Sequence, residues 1–317
     1  MRTVVGVLRG GPSSEYEVSL KTGASVLEHI DKDSYDPRDL FVDRSGQWHS
    51  HGLAVEPHQA LHGIDVVFNA MHGEYGEDGH MQRLLDSHAV RYTGSGALAS
   101  SLAFNKHLTK QAAKKLGVKL AHSIVVDRQD PMVLAQTIFR TFPHPAVVKP
   151  VAAGSSVGVT VAHDFKGLVH ALETAFALSE RALVEEFIKG REATVGVIDN
   201  FRGERVYALM PVEIIPPAGK FFDYEHKYNG ATQEIVPGNF SHAEKDELAR
   251  MAKAVHEGLN LAHYSRSDFI VSRRGIYFLE VNTLPGLTSE SLLPKAVKAG
   301  GSSLKEFISH VIELAKR

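Results

Sequence analysis

The sequence predicts a mixed α/β and α+β protein that begins with a small doubly wound α/β domain. Two units near the start each run from a buried-type strand through a Gly-rich turn to a helical stretch: 3–8 leads to 17–30, and 65–70 leads to 81–87. Repeated strand–turn–helix order is typical of an open α/β sheet. At 317 residues and 43% hydrophobic, the chain exceeds the size of one core, so two or three domains are expected.

The composition favours a small-molecule substrate and a reducing compartment. The 35 basic and 37 acidic residues leave a net charge of −2, which offers no broad electrostatic attraction to nucleic acid or anionic lipid. The lack of cysteine excludes a disulfide framework, a thiolate nucleophile and a cysteine zinc site. The apolar run at 4–8 is too short for a signal-peptide core, and no later run approaches a membrane span. We therefore expect a cytoplasmic protein that binds neither nucleic acid nor membrane.

The run 266–282 predicts a β-hairpin with polar residues along one face. Two strand-like segments flank Arg273-Arg274-Gly275, where Gly275 can adopt a positive φ at the end of a three-residue turn. Counting outward from that turn gives the expected pairs: Ser272 with Ile276, Ile270 with Phe278, Asp268 with Glu280, and Arg266 with Asn282. Because side chains alternate along a strand, the last three pairs are expected on one face of the sheet.

Three oxygen-bearing side chains on that face indicate a magnesium site. Asp268 and Glu280 would have β-carbons about 5 Å apart and would repel each other without a cation between them. With Asn282 they form an oxygen-only ligand set, which suits hard Mg²⁺ rather than zinc. The opposite face is wholly apolar and explains how the hairpin is held: Phe269, Val271, Tyr277, Leu279 and Val281. The pattern alone also allows an edge hairpin whose polar face meets water.

A second candidate site is a loop of small residues after a strand. Lys149 stands at the end of the strand-like run 146–149, and the loop 153–158 can lay backbone N–H groups against phosphate. The loop matches neither the Walker pattern nor the dinucleotide fingerprint, since both need a helix immediately afterwards. The same objection applies to a G-x-S-x-G nucleophile elbow around Ser156. An ordinary Gly-Ser hairpin turn is the alternative that this loop leaves open.

Three further features extend the candidate site. The segment 286–292 places Ser and Thr at the start of a short helix, where free N–H groups suit a carboxylate, although a plain N-cap without a ligand is the alternative. His72 lies in a Gly-rich loop after a strand. The polar segment at about 216–240 is long for a loop, which predicts a lid.

Together these motifs resemble the D-alanine:D-alanine ligases of the ATP-grasp superfamily, in the right order along nearly the whole chain. The motifs are Gly10-Gly11 with Glu17-Val18-Ser19, His72-Gly73 with Gly76-Glu77-Asp78-Gly79, Tyr92-Thr93-Gly94-Ser95-Gly96, Lys149-Pro150 with Gly154-Ser155-Ser156-Val157-Gly158, Asp223-Tyr224-Glu225 with Lys227-Tyr228, and Leu279-Glu280-Val281-Asn282-Thr283 with Pro285-Gly286-Leu287-Thr288. The resemblance implies an ATP-grasp fold with domains at 1–95, 96–182 and 183–317, and with the lid in the third.

The resemblance also implies roles for individual residues. A nucleotide site would be formed by Lys106, Lys149, Glu185, Glu186, Phe187, Ile188, Glu192 and Lys227. Two Mg²⁺ ions, for which Mn²⁺ can substitute, would be bound by Asp268, Glu280 and Asn282. The first D-alanine would be positioned by Glu17, held by Ser155 and Tyr228, with His72 nearby. The carboxylate of the second would be taken by Ser291 and Leu292, and the oxyanion would be stabilised by Arg266 and the Gly286 N–H.

The implied reaction is the ATP-dependent ligation of two D-alanine molecules through an acyl phosphate, which supplies D-alanyl-D-alanine for peptidoglycan precursors. A homodimer is also expected. Two positions depart from the family pattern: Ser265-Arg266-Ser267-Asp268 replaces Gly-Arg-Ile-Asp, and Glu186-Phe187 replaces Lys-Trp. The rival hypotheses are another ATP-grasp ligase, a nucleotide-binding module without catalysis, and a nicotinamide oxidoreductase, against which the missing G-x-G-x-x-G counts. Tyr228 argues against D-lactate as second substrate but leaves D-serine open.

Overall fold

The computed structural model describes residues 2–152, 158–216 and 232–317, and every structural statement concerns those ranges. The predictions for Ser155, Lys227 and Tyr228 lie outside them, as do the small-residue loop at 153–157 and most of the expected lid. None of the helices in the described part of the chain combines the length and the apolar character needed to cross a bilayer.

The first sheet confirms the predicted α/β start. Its strands are β1 (Thr3–Gly10), β2 (Tyr35–Val42), β3 (Trp48–Ser50), β4 (Leu53–Val55), β5 (Val66–Asn69) and β6 (Arg91–Tyr92), in the order β4-β3-β2-β1-β5-β6. Strands β2, β1, β5 and β6 run parallel, whereas β3 and β4 are antiparallel additions. The accompanying helices are α1 (Tyr16–His29), α2 (Pro57–Ala60) and α3 (His80–Ser87).

Strand β1 is covered on both faces, as its near-continuous apolar sequence predicts. Val5 and Val7 pack into one hydrophobic cluster, and Leu8 packs into another on the other side of the sheet. Gly10 then turns the chain toward α1 with φ of +92°, and a β-carbon there would stand only 2.0 Å from the Val42 carbonyl oxygen. Glycine is therefore required at the first loop of the candidate site.

The second sheet is small and antiparallel. Helices α4 (Ala97–Phe104) and α5 (Lys106–Lys115) precede it, and its elements are β7 (Ser123–Asp127), α6 (Pro131–Thr141), β8 (Ala146–Pro150), β9 (Thr160–Ala162), α7 (Phe165–Leu178) and β10 (Arg181–Glu186). The strand order is β7-β10-β8-β9. Helices α6 and α7 supply Ile138 and Leu168 to the core beneath it, where they meet Val148 and Val184.

The third sheet carries the predicted hairpin. Its strands are β11 (Arg191–Phe201), β12 (Glu204–Ala208), β13 (Val212–Ile215), β14 (Gln233–Ile235), β15 (Tyr264–Ser272) and β16 (Gly275–Asn282). The order is β14-β13-β11-β15-β16, and β12 also pairs with β11. Helix α8 (His242–Gly258) packs on one face of this sheet through Leu248, Met251 and Val255.

The last two helices return to the first sheet. They are α9 (Leu292–Ala299) and α10 (Leu304–Ala315), and Phe307 and Ile308 of α10 join the cluster that contains Val5 and Phe68. The apolar face of α10 is therefore a packing surface. The domain boundaries expected at 95 and 182 stay a prediction, although the second would fall inside strand β10, which belongs to the second sheet.

The hairpin register is confirmed at its open end and wrong near its turn. Asp268 pairs with Glu280, and Arg266 pairs with Asn282, as expected. The predicted pairs Ser272–Ile276 and Ile270–Phe278 are wrong, because Ser272 pairs with Gly275, Ile270 with Tyr277 and Phe269 with Phe278. The turn is thus one residue shorter than expected, and a β-bulge at Leu279 restores the register before the carboxylates.

The bulge also changes which side chains share a face. Phe278 joins Phe269 in the core against α8, whereas Tyr277 clusters with Ile270, and partly buried Leu279 packs against them. The predicted apolar face is therefore correct for Phe269, Val271 and Val281 and wrong for Tyr277 and Leu279. Two apolar side chains consequently move to the polar side, beside the carboxylates.

Two neighbouring serines on β15 predict opposite effects on stability. Ser267 is fully buried, and its hydroxyl has no hydrogen-bond partner among the described residues, while the Ser265 hydroxyl bonds His256 Nδ1 at 2.8 Å. Ser267→Ala is expected to raise the free energy of unfolding by about 1 kcal/mol, because it removes an unsatisfied polar group. Ser265→Ala is expected to lower it by about 1–3 kcal/mol, because it leaves a buried imidazole nitrogen unpaired. Urea unfolding measures both, and a destabilised Ser267→Ala protein would contradict this reading.

Candidate active site

The open end of the hairpin holds an ordered carboxylate. Arg266 donates to both oxygens of Asp268, from Nε to Oδ1 and from Nη2 to Oδ2, at 3.0 Å each. Thr194, directly opposite Asp268 on β11, donates its hydroxyl to Oδ1 at 2.5 Å. Three donors, two of them charged, thus fix the orientation of the Asp268 carboxylate.

Glu280 faces the first residue of helix α5. The Lys106 ammonium lies 3.5 Å from Glu280 Oε2, and the Lys106 side chain is only 9% exposed. At the end of β16, Asn282 Oδ1 accepts the Leu284 N–H at 2.7 Å. Within the described ranges no cluster of three or more His, Cys, Asp or Glu residues is placed to hold a metal, so an ion here would need the Asn282 amide oxygen as well. The available donors are all oxygens, which fits Mg²⁺.

A buried ionic group lies between α5 and the second sheet. Glu185 on β10 contacts Lys149 of β8 through Oε2 and Lys110 of α5 through Oε1. Lys149 pairs with Leu183, so Glu185 is its diagonal neighbour on the same face of the sheet. Burial works to raise the pKa of Glu185, but the charges of Lys149 and Lys110 outweigh it and lower the pKa. The Glu185 side chain thus binds two lysines, and the expected adenine contact along 185–188 stays a prediction.

The residues after Glu185 line an apolar wall. Ile188 packs with Ala121, Ile270 and Tyr277 on the polar side of the hairpin. Glu186 forms an ion pair of 2.7 Å with Arg274 of the hairpin turn, and the Phe187 N–H donates to the Pro145 carbonyl at 3.2 Å. Glu192 lies on β11 opposite Ile270. This apolar surface includes Ile270, which lies two residues after Asp268 on β15.

The loop after β5 brings a buried histidine and a buried acid to this site. His72 Nε2 lies 2.8 Å from Thr22 Oγ1, and His72 Nδ1 lies 3.3 Å from Glu77 Oε1. Burial lowers the pKa of His72 and raises that of Glu77 to about 8. The charge of Arg266 acts on the pKa of both groups.

The structure corrects the choice between two glutamates at the start of α1. Glu17 points to solvent, with its side chain 68% exposed, and pairs with Arg44 at 2.9 Å. Glu15 is buried, its charge acts on His72, and a β-carbon at Gly73 would stand 3.1 Å from its Oε1. Residues two apart do not share a helix face, so Glu17 cannot serve where Glu15 lies.

The segment between β16 of the third sheet and α9 contributes Gly286 and Ser291 to the site. The Thr288 N–H donates to Ser291 Oγ at 3.1 Å, and Leu292 is the first residue of α9. A β-carbon at Gly286 would stand 2.8 Å from Ser291 Oγ and 4.0 Å from Thr22 Oγ1. Gly286 and Ser291 therefore lie together, within reach of the residue that bonds His72.

Two family models match this chain. The model described as D-ala D-ala ligase C-terminus matches residues 113–313, and that described as D-ala D-ala ligase N-terminus matches 4–60 and 49–95. The D-alanine–D-alanine ligase of Syntrophobacter fumaroxidans is 39% identical over 317 residues, covering 99% of this chain and 98% of the relative. This chain belongs to the D-alanine–D-alanine ligase family. The ligase of Geobacter sulfurreducens is 38% identical over 313 residues, covering 98% of this chain and 93% of the relative.

Solved structures of such ligases share the fold. The D-Ala:D-Ser ligase VanG from Enterococcus faecalis superposes with a TM-score of 0.86 at 27% identity, covering 99% of this chain and all of that one. The D-alanine–D-alanine ligase from Coxiella burnetii gives 0.85 at 25% identity, covering 99% of this chain and 94% of that one. The expected ATP-grasp fold is confirmed, and the ligase family implies ATP and a divalent metal in general.

The structure gathers most of the expected site and adds residues that the sequence reasoning missed. Lys106, Lys149 and the hairpin carboxylates form one electrostatic group, since Glu280 acts on both lysines. The missed residues are Glu15, Glu77 and Lys110. Glu15 continues the helical spacing of Ser19, Thr22 and Val26, which the structure buries, but the polar Ser19 and Thr22 gave no apolar pattern in the sequence. Lys110 had none, since its partner Glu185 comes from a distant part of the chain. Glu77 stood in a quoted motif, five residues after its partner His72, but was given no role.

Proposed function

We propose that this chain joins two D-alanine molecules, converts ATP to ADP and phosphate, and passes through a D-alanyl phosphate. The observation that carries the proposal is the hairpin face, where Asp268, Glu280 and Arg266 meet the buried lysines. This chemistry needs anionic oxygens for a divalent ion, ammonium groups for phosphate and a guanidinium for an oxyanion.

The nucleotide would lie across the apolar wall and the lysines. Ile188 and Ile270 offer the base an apolar surface, and Glu192, on the neighbouring strand, would bind the ribose. Lys106 and Lys149 would contact the phosphates, with Lys227 reaching the γ-phosphate from the segment outside the described residues. A charged, partly desolvated site of this kind stabilises the negative charge that develops on the transferred group.

Asp268, Glu280 and Asn282 would hold two Mg²⁺ ions, with Mn²⁺ as a substitute. Bound ions would neutralise phosphate charge and orient the phosphoryl group for transfer. Arg266 and Thr194 would keep the Asp268 carboxylate aligned for that purpose.

The two amino acids would bind between the first and third sheets. Glu15 and His72 would position the ammonium group of the first D-alanine. Ser155 and Tyr228 would hold the Glu15 carboxylate in that role. Ser291 and the Leu292 N–H, at the start of α9, would take the carboxylate of the second.

The reaction would then proceed in two steps. A carboxylate oxygen of the first D-alanine attacks the γ-phosphorus, and ADP leaves. The ammonium group of the second D-alanine first loses one proton, and the resulting amine attacks the acyl carbon. A C–N bond forms, the C–O bond to the phosphoryl group breaks, and phosphate leaves with the second proton from nitrogen as hydrogen phosphate. Arg266 and the Gly286 N–H would stabilise the tetrahedral oxyanion between those events.

A paired substitution tests the assignment of Glu15. Glu15→Gln is expected to lower kcat/KM for D-alanine by about 10- to 100-fold, because it removes a buried charged partner of the substrate ammonium. Glu17→Gln is the matched control and should stay within about two-fold of the parent, because an exposed pair contributes little. Steady-state rates at saturating ATP measure both. The reverse order of the two effects would restore Glu17.

Phosphate release from Mg²⁺ and ATP tests the proposed function. Release should depend on D-alanine and should not occur with L-alanine alone. D-serine is the second candidate for the accepting substrate, because a D-Ala:D-Ser ligase shares the fold over its whole length. Each of D-serine and D-lactate is therefore offered together with D-alanine, and the mixed product is identified by mass. No phosphate release with D-alanine would overturn the proposal.

The same proposal includes the organisation of the protein. The ranges 1–95, 96–182 and 183–317 would act as three domains around the nucleotide, with a lid at about 216–240, and the chain would work as a cytoplasmic homodimer. Light scattering tests the dimer, and limited proteolysis tests the boundaries.

A further inference from the structure

The Glu185 carboxylate is shared by two lysines from different elements. Lys149 reaches one oxygen from β8, and Lys110 reaches the other from α5. The three side chains are only 4%, 9% and 6% exposed for Glu185, Lys149 and Lys110. Two buried ammonium groups on one carboxylate exceed what pairing requires, and burying each ion opposes folding. The second lysine therefore calls for an explanation.

Helix α5 presents its two lysines to two different acids. Lys106 and Lys110 are one turn apart on one face of α5, which is the spacing of helix neighbours. Lys106 faces Glu280, whereas Lys110 turns to Glu185. Lys110 is not among the proposed nucleotide contacts. Its partner is Glu185, the acid that also pairs with Lys149.

Lys149 and Glu185 keep their charges, whereas burial lowers the pKa of Lys110 below its ordinary value against the opposing charge of Glu185. Burial works to lower the pKa of Lys149, but the charges of Glu185 and Glu280 outweigh it and raise the pKa. The pKa of Glu185 is lowered by the two lysines against the effect of burial. Glu185 is thus an anion at neutral pH and needs a cation at all times.

We propose that Lys110 is a positioning residue, which keeps Glu185 paired when Lys149 turns to the nucleotide phosphates. This inference rests on the proposed function, in which Lys149 contacts those phosphates. With Lys110 present, Lys149 can leave Glu185 without stranding a buried carboxylate. Without Lys110, Lys149 becomes the only partner of Glu185, and every phosphate contact competes with that buried pair.

Mg²⁺–ADP affinity, measured by calorimetry on the full chain, tests the inference with a double-mutant cycle. Lys110→Met keeps the length of the side chain and removes its charge, and it should weaken ADP binding by about ten-fold. Adding Glu185→Gln removes the competing anion, so the double variant should recover to within about three-fold of the parent. Glu185→Gln alone closes the cycle. Lys114→Met, at an exposed position of the same helix, is the matched control and should bind as the parent does.

Two results would overturn the inference. The first is equal ADP affinity in Lys110→Met and the parent. The second is a weakened Lys110→Met protein that Glu185→Gln does not rescue, because that would show general damage rather than competition for Lys149. Phosphate release with D-alanine decides the proposed function separately. If the parent protein binds Mg²⁺–ADP but does not use D-alanine, the proposed ligase function is refuted. The double-mutant cycle on ADP affinity would then still test the role of Lys110.

Discussion

Glu280→Gln is expected to lower kcat by about a thousand-fold, which corresponds to the several kcal/mol that metal-assisted charge neutralisation supplies. The substitution keeps the shape of the side chain and removes one of the two carboxylates that face each other across the hairpin. Only Asp268 would remain as an anionic ligand. The loss should appear at saturating ATP and D-alanine, because the missing charge acts during phosphoryl transfer.

Glu204→Gln is the matched control for that substitution. Glu204 is an exposed glutamate on the same sheet, where it pairs with Lys253 at 2.8 Å, and its loss should leave kcat unchanged. Thermal unfolding of both variants should match the parent. Retention of more than about a tenth of the parent rate by Glu280→Gln would contradict the metal role of the hairpin, since it corresponds to no more than about 1.4 kcal/mol.

Arg266→Met is expected to lower kcat by about 100- to 1,000-fold, the range found when an oxyanion donor is removed. The Arg266 side chain is 14% exposed and is held by Asp268, and its charge acts on His72 and Glu77 across the site. Under the proposed function, it would stabilise the oxyanion that forms when the second amine attacks the acyl group. Arg266→Lys should recover part of the rate, because the charge remains but the planar pair of donors does not.

Magnesium dependence separates this role from an indirect effect through Asp268. Rates are measured over a range of Mg²⁺ concentrations, and the loss in Arg266→Met should persist at saturating Mg²⁺. Full recovery at high Mg²⁺ would contradict an oxyanion role and would assign Arg266 to the alignment of Asp268 alone.

The pairing at the open end of the hairpin could be predicted from the sequence because two errors cancelled each other. The assumed turn was one residue too long, and the bulge at Leu279 was not foreseen, so the pairing of Asp268 with Glu280 came out correct. A bulge depends on the packing of both faces, here Phe278 against α8, which period-two counting does not include. The errors appear in the pairs predicted near the turn and in the sides assigned to Tyr277, Phe278 and Leu279.

The other differences come from long-range contacts. The choice of Glu17 over Glu15 depended on a motif, whereas the buried spacing of α1 favours Glu15. Lys110 joins Glu185 across 75 positions of sequence, and nothing local to either residue indicates the pair. The family resemblance, by contrast, predicted the fold class correctly, because it used motifs spread along nearly the whole chain.

Oxygen transfer tests ligation through an acyl phosphate most directly. D-alanine labelled with ¹⁸O in its carboxylate is incubated with ATP and Mg²⁺, and the released phosphate and the dipeptide are analysed by mass spectrometry. Attack of the carboxylate on the γ-phosphorus predicts one ¹⁸O in each phosphate, with one dipeptide formed for each phosphate released. Unlabelled phosphate, or phosphate released without dipeptide, would contradict it.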